Sequence, residues 1–223
     1  MFEIKSTKNA SVDGVKILLF GSSGVGKTTQ LGTMEGKTLI LSAESGLLVL
    51  KDKDVDVIDI TDISTIGQVY KALKNGELKY DNVAIDSLSE IGDMIVSELE
   101  ADEYYGNPSN TFKLWGEYSK TLVKICKLFR DLKGINVIFT ALKESAEENG
   151  IVKYMPQVPA KKAQSKLASL FDEVYYLTTD SDGERIIHTN ETSMYVAKSR
   201  AGIQDGVKIT NEVNLGTILK SIK

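Results

Sequence analysis

The chain has 223 residues, of which 27 are basic, 31 are acidic and 42% are apolar, so its formal net charge at pH 7 is −4. This length predicts one globular domain over residues 1–223, large enough to bury about 70% of the unfolded surface without a disulfide or a structural metal. The single cysteine, Cys126, excludes a disulfide framework and a cysteine-rich metal site. Mild acidity also excludes a protein that coats nucleic acid by bulk positive charge, so a polyanionic partner has to be met by a local patch.

The start of the chain contains no uninterrupted apolar stretch of signal-peptide length. The most hydrophobic windows further on are interrupted by Lys16 and Glu44. We therefore expect neither export nor a membrane span, and a cytoplasmic location.

Short apolar runs bounded by Gly, Asp or Asn recur along the chain and predict buried strands. They are Val15–Phe20, Thr38–Ala43, Val55–Ile60, Asn82–Ile85 and Ile135–Thr140. Segments of helical periodicity lie between them at Thr65–Lys74, Ser87–Ala101 and Thr111–Lys133. This alternation predicts an α/β fold with a mainly parallel central sheet that is flanked by helices on both faces.

The pattern changes after Lys143. A polar stretch from Glu144 to Gln164 predicts a loop. Three strand-like segments then follow at Glu173–Thr179, Glu184–Thr189 and Ser193–Lys198, with a hairpin turn signal at residues 180–183. The C-terminal part is therefore predicted to form an antiparallel extension of the sheet.

Residues 21–28 read Gly-Ser-Ser-Gly-Val-Gly-Lys-Thr, the phosphate-binding pattern G-x-x-x-x-G-K-[ST], between a predicted strand and a helical segment. Glycines allow backbone N–H groups to wrap around phosphates without Cβ clashes. Lys27 is expected to reach the β- and γ-phosphates of ATP, and the Thr28 hydroxyl is expected to coordinate Mg²⁺. The predicted nucleotide site comprises Gly21, Ser22, Ser23, Gly24, Val25, Gly26, Lys27, Thr28 and Thr29.

Two carboxylates follow other predicted strands and complete a candidate hydrolytic site. Asp86 ends the apolar run Val83–Ile85 and is expected to hold Mg²⁺, while Glu44 follows Thr38–Ala43 and is expected to orient the attacking water. Because the carboxyl ends of parallel strands meet at one edge of a sheet, both should open onto the P-loop. Each also allows a structural interpretation, Asp86 as a helix cap and Glu44 as a solvated strand end.

The order of these motifs resembles the RecA core family of P-loop NTPases. In that family the strand after the P-loop helix ends in a catalytic Glu, as Leu39-Ile40-Leu41-Ser42-Ala43-Glu44 does here, and the metal-binding strand ends in Asp-Ser, as Asp86-Ser87 does. The resemblance runs from about Val15 to Gly202 and implies a RecA-like fold with ATP hydrolase activity. The expected sensor strand ends in Thr140, where RecA carries a polar pair containing Gln.

The segment Val196-Ala197-Lys198-Ser199-Arg200-Ala201-Gly202 is similar to the Lys-x-Arg element of RecA-like recombinases and DnaB-type helicases. In those proteins the two cations reach the γ-phosphate of a neighbouring subunit. The resemblance thus implies that Lys198 and Arg200 act in a neighbour's catalytic site and that the protein forms a homo-oligomeric ring or filament. The alternative is a solvated cationic strand end.

A RecA core that stands nearly alone, with Glu-Ser-Gly-Leu-Leu after its second strand, is similar to the phage-encoded ATPases of the single-strand annealing (Sak) group. That resemblance implies DNA-stimulated ATP hydrolysis in homologous recombination or strand annealing of phage DNA, within a bacterial or phage-infected host cell. Single-stranded DNA is the expected partner, with a single-strand binding protein as a further candidate.

Two segments combine aromatic residues or lysines in the manner of single-strand binders. The first offers Lys153, Tyr154, Lys161, Lys162 and Lys166. The second is the loop Asp102–Asn110, with Tyr104 and Tyr105, at the position where RecA-like proteins place another DNA loop.

Two functions of other classes share the P-loop. A nucleotide-dependent regulatory or partner-loading ATPase would keep Lys27 and Asp86 without contacting DNA. A small-molecule kinase would need a lid with several arginines, and this chain has only Arg130, Arg185 and Arg200, widely separated.

Overall fold

The computed structural model describes residues 14–44, 46–148 and 150–222, without the side chains of Glu148, Lys161, Lys162 and Ser165. The strands are β1 (Lys16–Gly21), β2 (Thr38–Ser42), β3 (Asp56–Asp59), β4 (Asn82–Asp86), β5 (Asn136–Glu148), β6 (Ile151–Pro156), β7 (Glu173–Thr179), β8 (Arg185–His188), β9 (Lys198–Ser199) and β10 (Val207–Lys208). The helices are α1 (Lys27–Leu31), α2 (Ile63–Lys74), α3 (Leu88–Ala101), α4 (Thr111–Arg130), α5 (Lys161–Leu170) and α6 (Leu215–Ile222). Short 3₁₀ helices lie at Leu47–Leu50 and Pro108–Asn110.

A central sheet of strand order β10-β8-β7-β1-β5-β4-β2-β3 organises the molecule. The six neighbours from β7 to β3 all run parallel, while β8, β9 and β10 pair antiparallel at one side. The α/β fold with a mainly parallel sheet and an antiparallel C-terminal extension is therefore confirmed. Within this extension β7 belongs to the parallel part, contrary to the prediction, and the antiparallel pairing begins at β8.

Strand β1 lies at the centre of the core and is buried along its whole length. Its alternate side chains enter two separate apolar clusters, with Leu18 and Phe20 facing α2–α5 and Ile17 and Leu19 facing α1 and α6. A strand covered on both faces has a nearly continuous apolar sequence, as the run Val15–Phe20 predicted. Burial of β1 fixes the position of the turn that follows it.

The polar stretch Glu144–Gln164, predicted as a loop, is ordered instead. Strand β5 continues to Glu148 and pairs antiparallel with β6 in a hairpin that extends beyond the sheet, and α5 begins at Lys161. Much of this ribbon is exposed or only partly buried, so its sequence lacks the apolar pattern on which a strand prediction depends. The predicted strand Ser193–Lys198 is also shorter than expected and is reduced to Lys198–Ser199 plus a single bridge at Tyr195.

Phe129 on α4 provides a test of the packing in the larger apolar cluster, the one between the sheet and α2–α5. Its fully buried ring contacts Tyr70 and Phe139, with ring centroids 5.8 and 6.3 Å away. Phe129→Ala should lower the free energy of unfolding by about 3–5 kcal/mol, because a cavity replaces the ring. Phe112→Ala on the same helix is the control, since that ring is 91% exposed. Equal urea midpoints for the two variants would contradict this packing.

Candidate functional site

The turn between β1 and α1 has the backbone geometry that its glycines predict. Gly24 and Gly26 adopt φ values of 73° and 104°, in the left-handed region that favours glycine. Gly26 has a second constraint, because a Cβ atom there would lie 2.8 Å from Nε of Arg185. The first residues of α1 also have no side-chain cap. The turn therefore presents backbone N–H groups in a form suited to phosphate oxygens.

Lys27 is the buried cation of this turn. Its Nζ donates hydrogen bonds to the carbonyl oxygens of Gly21 at 3.1 Å and Ser22 at 2.9 Å. Burial lowers the pKa of Lys27, and the negative charges of Glu44 and Asp86 oppose that shift. The ammonium group is thus held in the turn by weak neutral acceptors, which a phosphate oxygen can replace with a stronger charge-assisted bond.

Asp86, at the end of β4, is 1% exposed and accepts two hydroxyl hydrogen bonds. Thr28 of α1 donates to its Oδ2 atom at 2.8 Å, and Thr140 of β5 donates to its Oδ1 atom. The Thr28 hydroxyl and the Asp86 carboxylate are hard oxygen donors of the kind that Mg²⁺ uses together with substrate phosphates and waters. Among the described residues no group of three or more His, Cys, Asp or Glu side chains forms a self-contained metal cage.

Glu44 lies beside Asp86 because β2 and β4 are neighbours. The register places Ser42 opposite Asp86, and the Asp86 carbonyl oxygen accepts backbone hydrogen bonds from Ala43 at 2.7 Å and Glu44 at 3.2 Å. The Glu44 carboxylate in turn accepts a hydrogen bond from the Ser87 hydroxyl. The two predicted carboxylates therefore share one edge of the sheet with the P-loop, at hydrogen-bonding distance from residues that fix their position.

Arg185 is a residue of this site that the sequence motifs did not indicate. It begins β8, opposite Thr179 of β7, and its Nε atom donates to the carbonyl oxygen of Val25 at 2.8 Å. The only sequence feature that could have pointed to Arg185 is that the chain contains just three arginines. Its place beside the P-loop depends on the pairing of β8 with β7 and of β7 with β1.

Lys198 and Arg200 lie at the other end of the sheet from their own P-loop. Arg200 contacts Asp172, which in turn bonds to Lys16 at the start of β1. The length of β1 separates that end from Gly21 by roughly 16 Å. Lys198 Nζ donates to the carbonyl oxygens of Ala168 and Phe171, and burial lowers its pKa.

The predicted DNA-contacting residues differ in their accessibility. Lys153 forms an ion pair with Glu191 at 2.7 Å, and the Tyr154 ring stacks on Tyr176 with centroids 5.9 Å apart. Lys166 is exposed on α5. The side chains of Lys161 and Lys162 lie outside the described residues.

The second predicted DNA loop, residues 102–110, lies beside the start of α4. Tyr104 is 52% exposed and packs edge-on against Tyr105. Lys113 Nζ contacts the Tyr104 hydroxyl at 2.7 Å.

A buried strand, a glycine turn, a lysine-led helix and a strand-end aspartate that contacts the helix threonine define a P-loop NTPase. The family model described as an AAA domain matches residues 13–201, and the chain belongs to that family. NTPase activity follows in general from this membership. No curated protein matches the chain. Within the described residues, none of the helices has the length and apolar character that crossing a membrane requires.

Arg185→Ala should weaken ATP binding, because it removes a cation that holds the Val25 carbonyl beside the phosphate-binding amides. A charge-assisted contact of this kind is worth about 1.5–3 kcal/mol, which corresponds to a loss on the order of tenfold or more in affinity. Arg185→Lys should retain part of the affinity, since it keeps the charge without the planar fork. Titration with a fluorescent ATP analogue measures both. Arg130→Ala, which removes an arginine paired with Asp131, is the control, and equal affinities for the two alanine variants would exclude the role.

Proposed function

We propose that this protein is a Mg²⁺-dependent ATPase that acts on single-stranded DNA in phage homologous recombination or strand annealing. One observation supports hydrolysis above the others. Asp86 is bonded to both Thr28 and Thr140, and its neighbour Ser87 is bonded to Glu44, so the groups needed for metal binding and water activation converge on the P-loop. The DNA substrate is supported by the resemblance to RecA cores and the Sak group.

Each residue of the site has a separate role in the proposed hydrolysis. Lys27 and the amides of the turn hold the phosphates, and Thr28 and Asp86 would hold Mg²⁺, which would neutralise phosphate charge when bound. Glu44 orients a water molecule for attack on the γ-phosphorus and accepts its proton. The bond from that phosphorus to the bridging oxygen of ADP then breaks, and ADP leaves with the electron pair.

Arg200 is the residue best placed to serve a neighbouring subunit. Its side chain is 58% exposed and held by Asp172 at 2.9 Å, so the guanidinium is accessible on one side. Lys198 is held by two carbonyl oxygens at the end of α5, where it supports the strand that carries Arg200. We therefore assign the charge-stabilising role across an interface to Arg200 and a supporting role to Lys198.

Hydrolysis and its response to DNA can be tested together by measuring the ATPase rate with and without single-stranded DNA. Glu44→Gln should bind ATP normally and turn it over about 10²–10⁴-fold more slowly, because an amide cannot accept the proton. Lys27→Ala should lose ATP binding. Wild-type turnover by Glu44→Gln would reassign the base. An ATPase rate that DNA does not change would favour the regulatory or partner-loading ATPase instead.

A shared active site is testable by mixing two inactive variants. Arg200→Ala and Glu44→Gln should each be inactive alone but regain part of the activity when mixed, because some interfaces then combine an intact Glu44 with an intact Arg200. Lys27→Ala mixed with Glu44→Gln is the matched control. Lys27 and Glu44 belong to the same subunit's site, so this control mixture cannot assemble an intact site. If the mixture of Arg200→Ala with Glu44→Gln is no more active than the control, the shared interface is contradicted.

A further inference from the structure

A groove of about 500 Å³ lies between α4 and α5, away from the P-loop. Its walls carry four lysines, Lys120, Lys124, Lys127 and Lys166, over a floor that includes Val123 and Leu128. Three of these lysines come from one helix at spacings of four and three residues, which places them on one face. The sequence had singled out only Lys166.

The positive charge of this groove is poorly neutralised. Lys124, Lys127 and Lys166 make no ion pair with any described residue, and Lys120 makes only an exposed pair with Glu117 at 3.2 Å. Asp131, the one acidic side chain that lines the groove among those the structure describes, is paired with Arg130 at 2.7 Å. In a chain of net charge −4, these lysines form a local cationic patch. A polyanionic partner requires such a patch, because the chain as a whole is acidic.

An aromatic ring continues the same face of α4. Phe112 is 91% exposed, and the helical period aligns it with Gly116, Lys120 and Lys127. Its ring contacts solvent rather than the core. From Phe112 to Lys127 the face is roughly 22 Å long at 1.5 Å per residue. Gly116, which carries no side chain, leaves the backbone accessible between the ring and the lysines.

We propose that this α4–α5 groove binds single-stranded DNA, with the lysines on the phosphodiester backbone and a base stacked on Phe112. Unpaired cations combined with an exposed ring are what a single strand requires, because its bases offer faces that a duplex hides. An acidic peptide would use the lysines but would gain little from the ring. The proposal rests on the proposed function and names the surface that its DNA substrate occupies.

Fluorescence anisotropy with labelled oligo-dT tests the groove in the full chain, with and without Mg²⁺ and a non-hydrolysable ATP analogue. Lys124→Ala/Lys127→Ala should weaken binding on the order of tenfold and lower the slope of log affinity against log salt by about 1.4, since each lost phosphate contact removes about 0.7. Lys71→Ala/Lys79→Ala, which removes the same charge from exposed positions elsewhere, should change neither quantity.

Phe112→Ala separates stacking from charge. It should weaken oligo-dT binding on the order of tenfold while leaving the salt slope unchanged, because a ring contributes stacking and no counterion release. Phe112→Trp should bind oligo-dT as tightly as the wild type, because it keeps an aromatic ring at this position. Urea midpoints equal to wild type establish that each variant is folded.

The outcomes distinguish this proposal from the proposed function. Wild-type oligo-dT binding that both groove variants retain would overturn the groove and leave the DNA substrate in place. No oligo-dT binding by the wild type, at low salt and with nucleotide present, would overturn the DNA substrate itself. Competition by polyglutamate as strong as that of unlabelled oligo-dT would overturn the nucleic acid as occupant.

Discussion

The buried carboxylate of Asp86 is the constraint on which the site depends. Such a group is stable in a protein interior only if its oxygens receive hydrogen bonds, and losing one donor costs about 1–3 kcal/mol. Here the donors come from two different elements, Thr28 on α1 and Thr140 on β5. The P-loop helix and the two central strands are thereby held in one relative position. The two hydroxyl donors that stabilise this buried carboxylate therefore also fix the position of the proposed metal ligand.

The backbone of the same residue positions the second carboxylate. Because the Asp86 carbonyl oxygen accepts from both Ala43 and Glu44, the chain leaving β2 is held against β4 rather than free to diverge. Ser87 then holds the Glu44 side chain. A group that must orient a water molecule has to be held to within a fraction of an ångström, and support of this kind supplies that rigidity. The end of β4 therefore organises both halves of the candidate chemistry.

The parts of the site that the sequence predicted follow from local rules. A glycine turn after a strand and carboxylates at parallel strand ends have to meet at one edge of a sheet, so the amino-acid pattern alone is enough to place Lys27, Asp86 and Glu44 together. It is not enough for Arg185, because the position of that residue depends on the pairing of an antiparallel edge strand. The sequence also proposes Tyr154 as a DNA contact without indicating that its ring packs on Tyr176, because that packing results from a hairpin whose exposed strands carry no apolar signal.

The first turn of α3 connects the nucleotide site to the wall of the basic groove. Ser87 contacts Glu44, and two residues later the Ser89 hydroxyl accepts from Leu142 of β5 at 3.0 Å and donates to the Gln157 carbonyl at 2.7 Å. Gln157 precedes α5, which carries Lys166. A displacement of the Glu44 side chain would act on Ser87, and the same turn contacts Gln157 in the segment that leads into α5. These hydrogen bonds, together with the chain from Ser87 to Ser89 and from Gln157 to α5, connect the proposed catalytic site to the proposed DNA surface. A continuous link of this kind becomes allosteric only when occupancy of one end changes affinity at the other.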